Sequence, residues 1–537
     1  LAESFDILIK NATIVDGSGS PSFKGDIGIE EGKITKVGKI GEHGEIEIDA
    51  KDLIASPGFI DMHNHSDVAI MVNTSASNYI TQGVTTLVTG NCGLSAAPLS
   101  KDSKELIDLI IPPQFKEKIS ISWTSFEEYL KEIEKAKPAV NIAPLVGHNT
   151  IRGYVLGLGD NELTSNGLNE MKELIREAME AGAFGMSTGL IYDPGVFAET
   201  EEIIELAKVV AEYGGIYASH IRNESDLLIE ATLEAIKIGK ESGARVEISH
   251  HKASGDRNWG LVRTTLSLME YYRRFDVEVT CDVYPYTYAS TGLLYLFPPW
   301  TRDKGQEEFL RLIQKPEVRK KLKIELSRPS TTWENILLDA GFRGTVIAHS
   351  ERFREYEGKS LMEISHLLQK DPYTLMFDLI AEDPHISVIV GGMSEEDVEF
   401  VISHRLSMIG SDGLVQEFGV GYPHPRSYGT FPRVIAEYVR KKKLLPLEAA
   451  IKKMTYLPAW KLGLQDRGLI KEGFVADIVL FDFWTVEDTA TFMNPHSYAE
   501  GIKYVIINGE VALENGKLTK NKPGRVLRRW CYGNSAG

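Results

Sequence analysis

Five short apolar runs in this 537-residue chain end in side chains that bind metals or move protons. "GFIDMHNH" closes on His63-Asn64-His65, "TTLVTGNCG" on Cys92, "GIYASHI" on His220, "RVEISHHK" on His250-His251 and "LSMIGSDG" on Asp412. Two residues apart on a strand point to one face, so His63 and His65 can reach a single ion. Alone, that pair says little, because strand-end histidines are commonly hydrogen-bonded structural residues. Repeated at five strand ends, the set calls for a metal. Imidazole, thiolate and carboxylate are borderline-soft donors that suit zinc, and a catalytic zinc site keeps one position open. Such an ion brings the pKa of water to roughly 7 and polarises a carbonyl, which is the chemistry of hydrolysis. Asp412 is the expected general base and acid, taking a proton from water and passing it to the leaving group. The alternative for "SDG" is plain turn chemistry.

These side chains converge only if the strands that carry them lie side by side. Eight such runs recur, the other three being "VNIAPLVGHN", "AFGMSTGL" and "VEVTCDVYPY", with helical stretches between them. In "NELTSNGLNEMKELIREAMEAG", Leu168, Met171, Leu174, Ile175 and Ala178 recur at helical spacing and Gly182 closes the run. Eight β/α units predict an α/β fold of the TIM-type (β/α)8 barrel, with its site at the carboxyl ends of the strands. The first fifty residues and the stretches "ADIVLFDF", "IKYVIINGEVAL" and "GRVLRRW" have a different, alternating texture, so both chain ends are expected to build one sheet domain. The division expected is 1–56 with 462–530 for that domain and 57–461 for the barrel, with an insertion around 287–345 over the mouth.

A formal charge of −17, with the acidic residues dispersed, argues against nucleic acid and anionic membranes as partners. An anionic substrate must therefore meet cations placed for it. No apolar run is long enough to span a membrane, and "LAESFDILIK" lacks the basic head and apolar core of a secretory leader, so a cytoplasmic protein is expected. Cys92, Cys281 and Cys531 are an odd, irregularly spaced set, which speaks against a disulfide framework and for a reducing compartment.

The segments "PGFIDMHNHSD", "SHIRNES", "EISHHK" and "GSDG" resemble the amidohydrolase superfamily of metal-dependent hydrolases. "GNCGLSAAP", "GMSTGLIYDPG", "CDVYPY", "HPRSYGTFPR" and "GRVLRR" narrow the resemblance to its D-aminoacylase, or N-acyl-D-amino-acid deacylase, family, over essentially the whole chain. The resemblance implies a β-sandwich-like domain from both termini around a distorted barrel. Many amidohydrolases bridge two metals with a carboxylated lysine of the fourth strand, but "AFGMSTGL" contains none, and the resemblance gives that role to Cys92. It implies a tightly bound zinc on Cys92, His220 and His250, and a weaker second position on His63, His65 and Asp412. His251, next to a ligand on its strand, points the other way and is read as structural, as is His148.

The activity implied is hydrolysis of the amide bond of N-acyl-D-amino acids, small molecules whose carboxylate would meet Lys252, Tyr284, Ser290 and Arg426. A guanidinium suits that task because it can pair a carboxylate bidentately. Tyr192 could bond the substrate or its developing oxyanion, or have an ordinary buried partner. Other readings are an amidohydrolase acting on cyclic amides, as hydantoinases do, or on dipeptides; a serine hydrolase, since "GMSTG" fits G-x-S-x-G with Ser187 as nucleophile; and a non-catalytic scaffold. Oligomeric state and side-chain preference are not written in the sequence.

Overall fold

The computed structural model describes residues 4–100, 104–111 and 113–529; Trp530 of "GRVLRRW" and Cys531 lie outside them. All eight apolar runs form strands. The first is Phe59–Asp61, the second Val84–Thr89, the fourth Gly185–Gly189 and the fifth Ile216–His220. The sixth is Arg245–Ile248, the seventh Val279–Val283 and the eighth Ser407–Ile409. The third breaks at Leu145 into Asn141–Pro144, paired with the second, and Val146–Gly147, paired with the fourth. Every pairing is parallel, and spatial order follows sequence order. Parallel strands covered on both faces read as continuous apolar runs, which is why no alternation marks them.

The eighth strand returns to the first. Met62 N–H donates to Ile409 O at 3.3 Å, and Asp412 N–H to His63 O and His65 N–H to Gly413 O, both at 2.8 Å. The buried Asp61 carboxylate reinforces the junction, accepting Ser411 N–H at 2.7 Å, Ser411 Oγ–H at 2.5 Å and Asn64 Nδ2–H at 2.8 Å. The helix expected from "NELTSNGLNEMKELIREAMEAG" spans Ser165–Ala181. The Thr164 hydroxyl caps its start, Gly182 at φ +116° ends it, and Met171, Ile175 and Ala178 are buried.

Both chain ends do meet in one nine-stranded sheet, joined where Ile54–Pro57 pairs antiparallel with Ile478–Phe481. The final "GRVLRR" departs from its texture. Ile142 N–H donates to Arg525 O at 2.9 Å and Leu527 N–H to Ile142 O at 2.7 Å, so the segment runs beside the third parallel strand. Leu527 is buried with Ile60, Val88, Ala143 and Ile216, while Arg528 pairs with Glu127 and Glu134. A leucine among arginines reads as an edge strand; here its burial among the parallel strands decides the path.

Between the seventh and eighth parallel strands, Ala289–Gly292, Thr345–His349 and Ser387–Val390 form an antiparallel sheet with a core of its own, including Phe297, Phe309, Leu322 and Phe377. Its middle strand, Ser387–Val390, lies beyond residue 345, where the texture ended the insertion. The helices Leu361–Leu368 and Pro372–Glu382 that lead to it have the apolar pattern of crossover helices, so nothing local set them apart.

The turn "TGNCG" after the second strand positions Cys92. Gly90, Cys92 and Gly93 all have positive φ, at 78°, 51° and 76°. A Cβ on Gly93 would lie 1.9 Å from Asn149 Oδ1 and 2.7 Å from Gly189 N. Ser187 clasps the same turn, its hydroxyl donating to Gly90 O and accepting Gly93 N–H at 2.9 Å. We expect Gly93→Ala to lower the melting temperature well beyond Gly260→Ala, whose φ of +90° is comparable but whose Cβ would meet nothing within 4 Å. Equal shifts in thermal melts would show that close packing around the turn is not what requires glycine.

Candidate active site

Cys92 Sγ lies 3.3 Å from His63 Nε2, 3.4 Å from His250 Nε2 and 3.7 Å from His220 Nδ1. Donor atoms of His63, Cys92, His250 and Asp412 all lie within 4.8 Å of one another, at the carboxyl ends of the first, second, sixth and eighth strands. Cys92, His250 and Asp412 adopt positive φ, at 51°, 35° and 52°, a conformation that strains a non-glycine residue and here turns each side chain inward as its strand ends. The donor chemistry suits a divalent ion such as zinc. A cysteine sulfur, imidazole nitrogens and a carboxylate converge in a buried space, with His63 Nε2 and His220 Nδ1 turned toward the sulfur.

Burial alone would push the Cys92 thiol up, but the charges of His63 and His250 and the bonds from His220 and His250 hold it well below its ordinary value, as a thiolate. Against the cost of burial, Cys92 and Asp282 in turn raise His63. Asp412 is bonded by His65 Nε2 at 3.0 Å and paired with Arg426 Nη1 at 2.7 Å. Burial would raise its carboxyl, and Arg426 with the surrounding histidines brings it well below the usual range.

The remaining expected residues fall into distinct places. Arg426, nearly buried, opens the helix Arg426–Arg433 and lines a cavity of about 240 Å³ beside Asp412. Ser290 lines both this cavity and a smaller inner one of about 40 Å³ shared with Tyr192, His220, His250 and Lys252. The Tyr192 ring packs against His220 at 5.0 Å, and its hydroxyl accepts from Thr291 at 3.4 Å. Tyr284 is buried, its hydroxyl directed at Met393 Sδ at 3.8 Å and its ring 4.8 Å from the Arg426 guanidinium carbon and 5.6 Å from Lys252 Nζ. Lys252 Nζ bonds both Glu224 carboxylate oxygens at 2.7 Å.

His251 turns away from the cluster, its Nε2 2.7 Å from Thr265 Oγ1, and burial pushes it down to about 3, so it stays neutral. His148 bonds Glu202 at 2.8 Å in a buried group with Arg152. Cys281 lies within the seventh strand, and burial pushes its thiol well up. Ser187 is bonded to the "TGNCG" turn, which accounts for its hydroxyl without nucleophilic chemistry.

Sequence reasoning missed Asp282 and Glu224. Asp282 Oδ1 accepts His250 N–H at 2.8 Å and lies 3.5 Å from His63 Nδ1. It sits near the end of the seventh strand, where "CDVYPY" carried a readable carboxylate. Glu224, four residues past His220, sits in a loop that periodicity does not constrain.

Three comparisons bear on this arrangement. A sequence profile of the amidohydrolase family matches residues 47–262 and 351–513. Over 98% of both chains the protein is 36% identical to a D-aminoacylase of Alcaligenes xylosoxydans xylosoxydans, and it is 35% identical to an N-acyl-D-aspartate deacylase of the same organism over 97% of this chain and 95% of that one. Among solved structures, an N-acyl-D-glutamate deacylase of Bordetella bronchiseptica, complexed with zinc and a phosphonate inhibitor, aligns with a TM-score of 0.82 at 32% identity, covering 98% of this chain and all of that one. A D-aminoacylase crystal structure aligns with a TM-score of 0.81 at 34% identity and the same coverage. Agreement over nearly the full length of both chains, in sequence and in fold, establishes that this chain belongs to the amidohydrolase family, among the D-aminoacylases and N-acyl-D-amino-acid deacylases.

Proposed function

We propose that the protein is a zinc-dependent N-acyl-D-amino-acid deacylase, hydrolysing the linear amide to release a carboxylate and a free D-amino acid. One observation carries this reading: a buried cysteine sulfur, imidazoles and a carboxylate converge within 4.8 Å, and Arg426 stands 2.7 Å from that carboxylate at a cavity wall. We read the ring of eight parallel strands as a TIM-type barrel. The terminal sheet is its β-sandwich-like companion domain, built from 4–56 and 462–523, while 57–461 form the barrel and 524–529 return to lie along its third strand.

Cys92, His220 and His250 would hold the tight ion, and His63, His65 and Asp412 a weaker second position, with Cys92 lying between the two groups. When bound, the ion supplies positive charge that polarises the amide carbonyl and acidifies water. Asp412, kept ionised by Arg426 and His65, takes the proton of the attacking water and returns it to the departing nitrogen. Arg426 pairs the substrate carboxylate, with Ser290 at the junction of the two cavities. A cyclic amide such as a hydantoin has no carboxylate to offer Arg426, which favours linear substrates.

The larger cavity is walled by Phe115, Leu414, Val420 and Tyr422, and Arg426 is its only lysine or arginine among the described residues. Burial holds His424 well down and also lowers His385, so both are neutral. Neutral, apolar D-side chains are therefore expected to react faster than D-aspartate or D-glutamate derivatives. A hydrolysis panel of N-acetyl amino acids in both enantiomers, with dipeptides and hydantoins, tests this; faster cleavage of L-enantiomers or hydantoins would contradict the substrate assignment. Asp412→Ala should reduce kcat by roughly 10²- to 10⁴-fold while the tight zinc remains. Arg426→Ala should raise KM far more than it lowers zinc content, and an unchanged KM would remove Arg426 from substrate binding.

A further inference from the structure

Glu224 faces the two histidines from the side opposite Cys92. Its Oε1 is 3.0 Å from His250 Nδ1, and its Oε2 is 3.8 Å from His220 Nε2. That Nε2 is buried and has no hydrogen-bond partner. Both oxygens also hold the Lys252 ammonium at 2.7 Å, and Lys252 Nζ lies 2.8 Å from His250 Nδ1. Glu224 is itself buried, and its main chain is pinned on both sides. Its N–H donates to Glu334 Oε2 of the insertion at 2.7 Å, and its carbonyl accepts Ser254 N–H at 2.8 Å.

Proton accounting gives this geometry a consequence. An imidazole that offers the Nε2 lone pair to an ion must carry its proton on Nδ1. At His250 that Nδ1–H has one acceptor in reach, Glu224 Oε1, because its other close neighbour, the Lys252 ammonium, is donor-only. We infer that Glu224 is a positioning residue: it accepts the Nδ1 proton of His250, so that Nε2 faces Cys92 as a lone pair, and it holds the Lys252 ammonium at the wall of the inner cavity. A protonated His250 Nδ1 no longer accepts from Lys252. The third Lys252 N–H is then free for a substrate carboxylate, so one buried carboxylate sets both metal affinity and the placement of a substrate-binding cation.

The proposal rests on reading Cys92 and His250 as metal ligands, and zinc affinity separates it from a mere ion-pair role. Zinc dissociation constants of the full chain, by competition with a chromophoric chelator, are compared for the parent, Lys252→Met, Glu224→Asp and the neutral pair Glu224→Leu/Lys252→Met, with zinc-free thermal melts to verify folding. Lys252→Met keeps the acceptor for His250 and should bind zinc within about threefold of the parent while raising KM. Glu224→Asp keeps the charge that Lys252 requires but withdraws the oxygen from His250, so zinc should weaken by roughly tenfold or more. The double variant should weaken it by about 10- to 100-fold. Parent-like zinc affinity in Glu224→Asp would show that charge alone is needed and overturn the proposal, even if the double variant fails to fold. A parent that binds no zinc would instead remove the metal reading beneath it.

Discussion

The site depends on one buried thiolate surrounded by imidazoles. A cysteine removed from water is ordinarily a neutral, small apolar residue, and its burial opposes ionisation. Cys92 is held the other way because three histidine nitrogens approach its sulfur within 3.3 to 3.7 Å. That approach is only available from a left-handed turn clasped by Ser187 and packed on Asn149, at the foot of which glycine is required. The negative charge of Cys92 then stabilises positive charge at the mouth of the strands, whether carried by imidazolium or by an ion. The same logic extends outward: Asp412 is balanced by Arg426 and His65, and Glu224 by Lys252 and His250.

This charge pattern gives the acidic chain a way to receive an anionic substrate. With a net charge of −17, the protein's overall field repels carboxylates, and only cations at the site itself can reverse this locally. Arg426 and Lys252 are both nearly buried, each already paired with a carboxylate, and they share the Tyr284 ring between them. Tyr284 therefore contributes as a platform for two cations, with its hydroxyl turned to Met393.

Much of the strand-end cluster is legible in the sequence, and for a physical reason. Strands buried on both faces are mostly apolar, with exceptions such as Glu247 and Asp282, so the polar residues that end them stand out, and five such ends named His63, His65, Cys92, His220, His250 and Asp412. The end of the helix Ser165–Ala181 was equally plain because Gly182 carries its own chemistry, whereas its Thr164 cap emerged only from the structure. Residues whose role depends on loops or on contacts across the fold stayed hidden. Glu224 has meaning only once His220 and His250 are side by side; the Asp282 carboxylate was readable in "CDVYPY", but its partners His63 and His250 appear only once the strands assemble. "GRVLRR" has the pattern of an edge strand, and nothing within it indicates that Leu527 is buried among the parallel strands. The insertion was cut short because its later helices have the same apolar periodicity as those of the parallel units.

The claim that Cys92 is a ligand rather than packing is tested most directly by X-ray absorption at the zinc edge of the zinc-loaded protein. A thiolate ligand predicts one sulfur at about 2.3 Å alongside nitrogen and oxygen scatterers at about 2.0 to 2.2 Å, with the sulfur signal lost in Cys92→Ala and kept in Cys281→Ala. A zinc environment of nitrogen and oxygen alone in the parent protein would contradict the account, leaving the thiol of "TGNCG" as packing and the charge balance of the site without its centre.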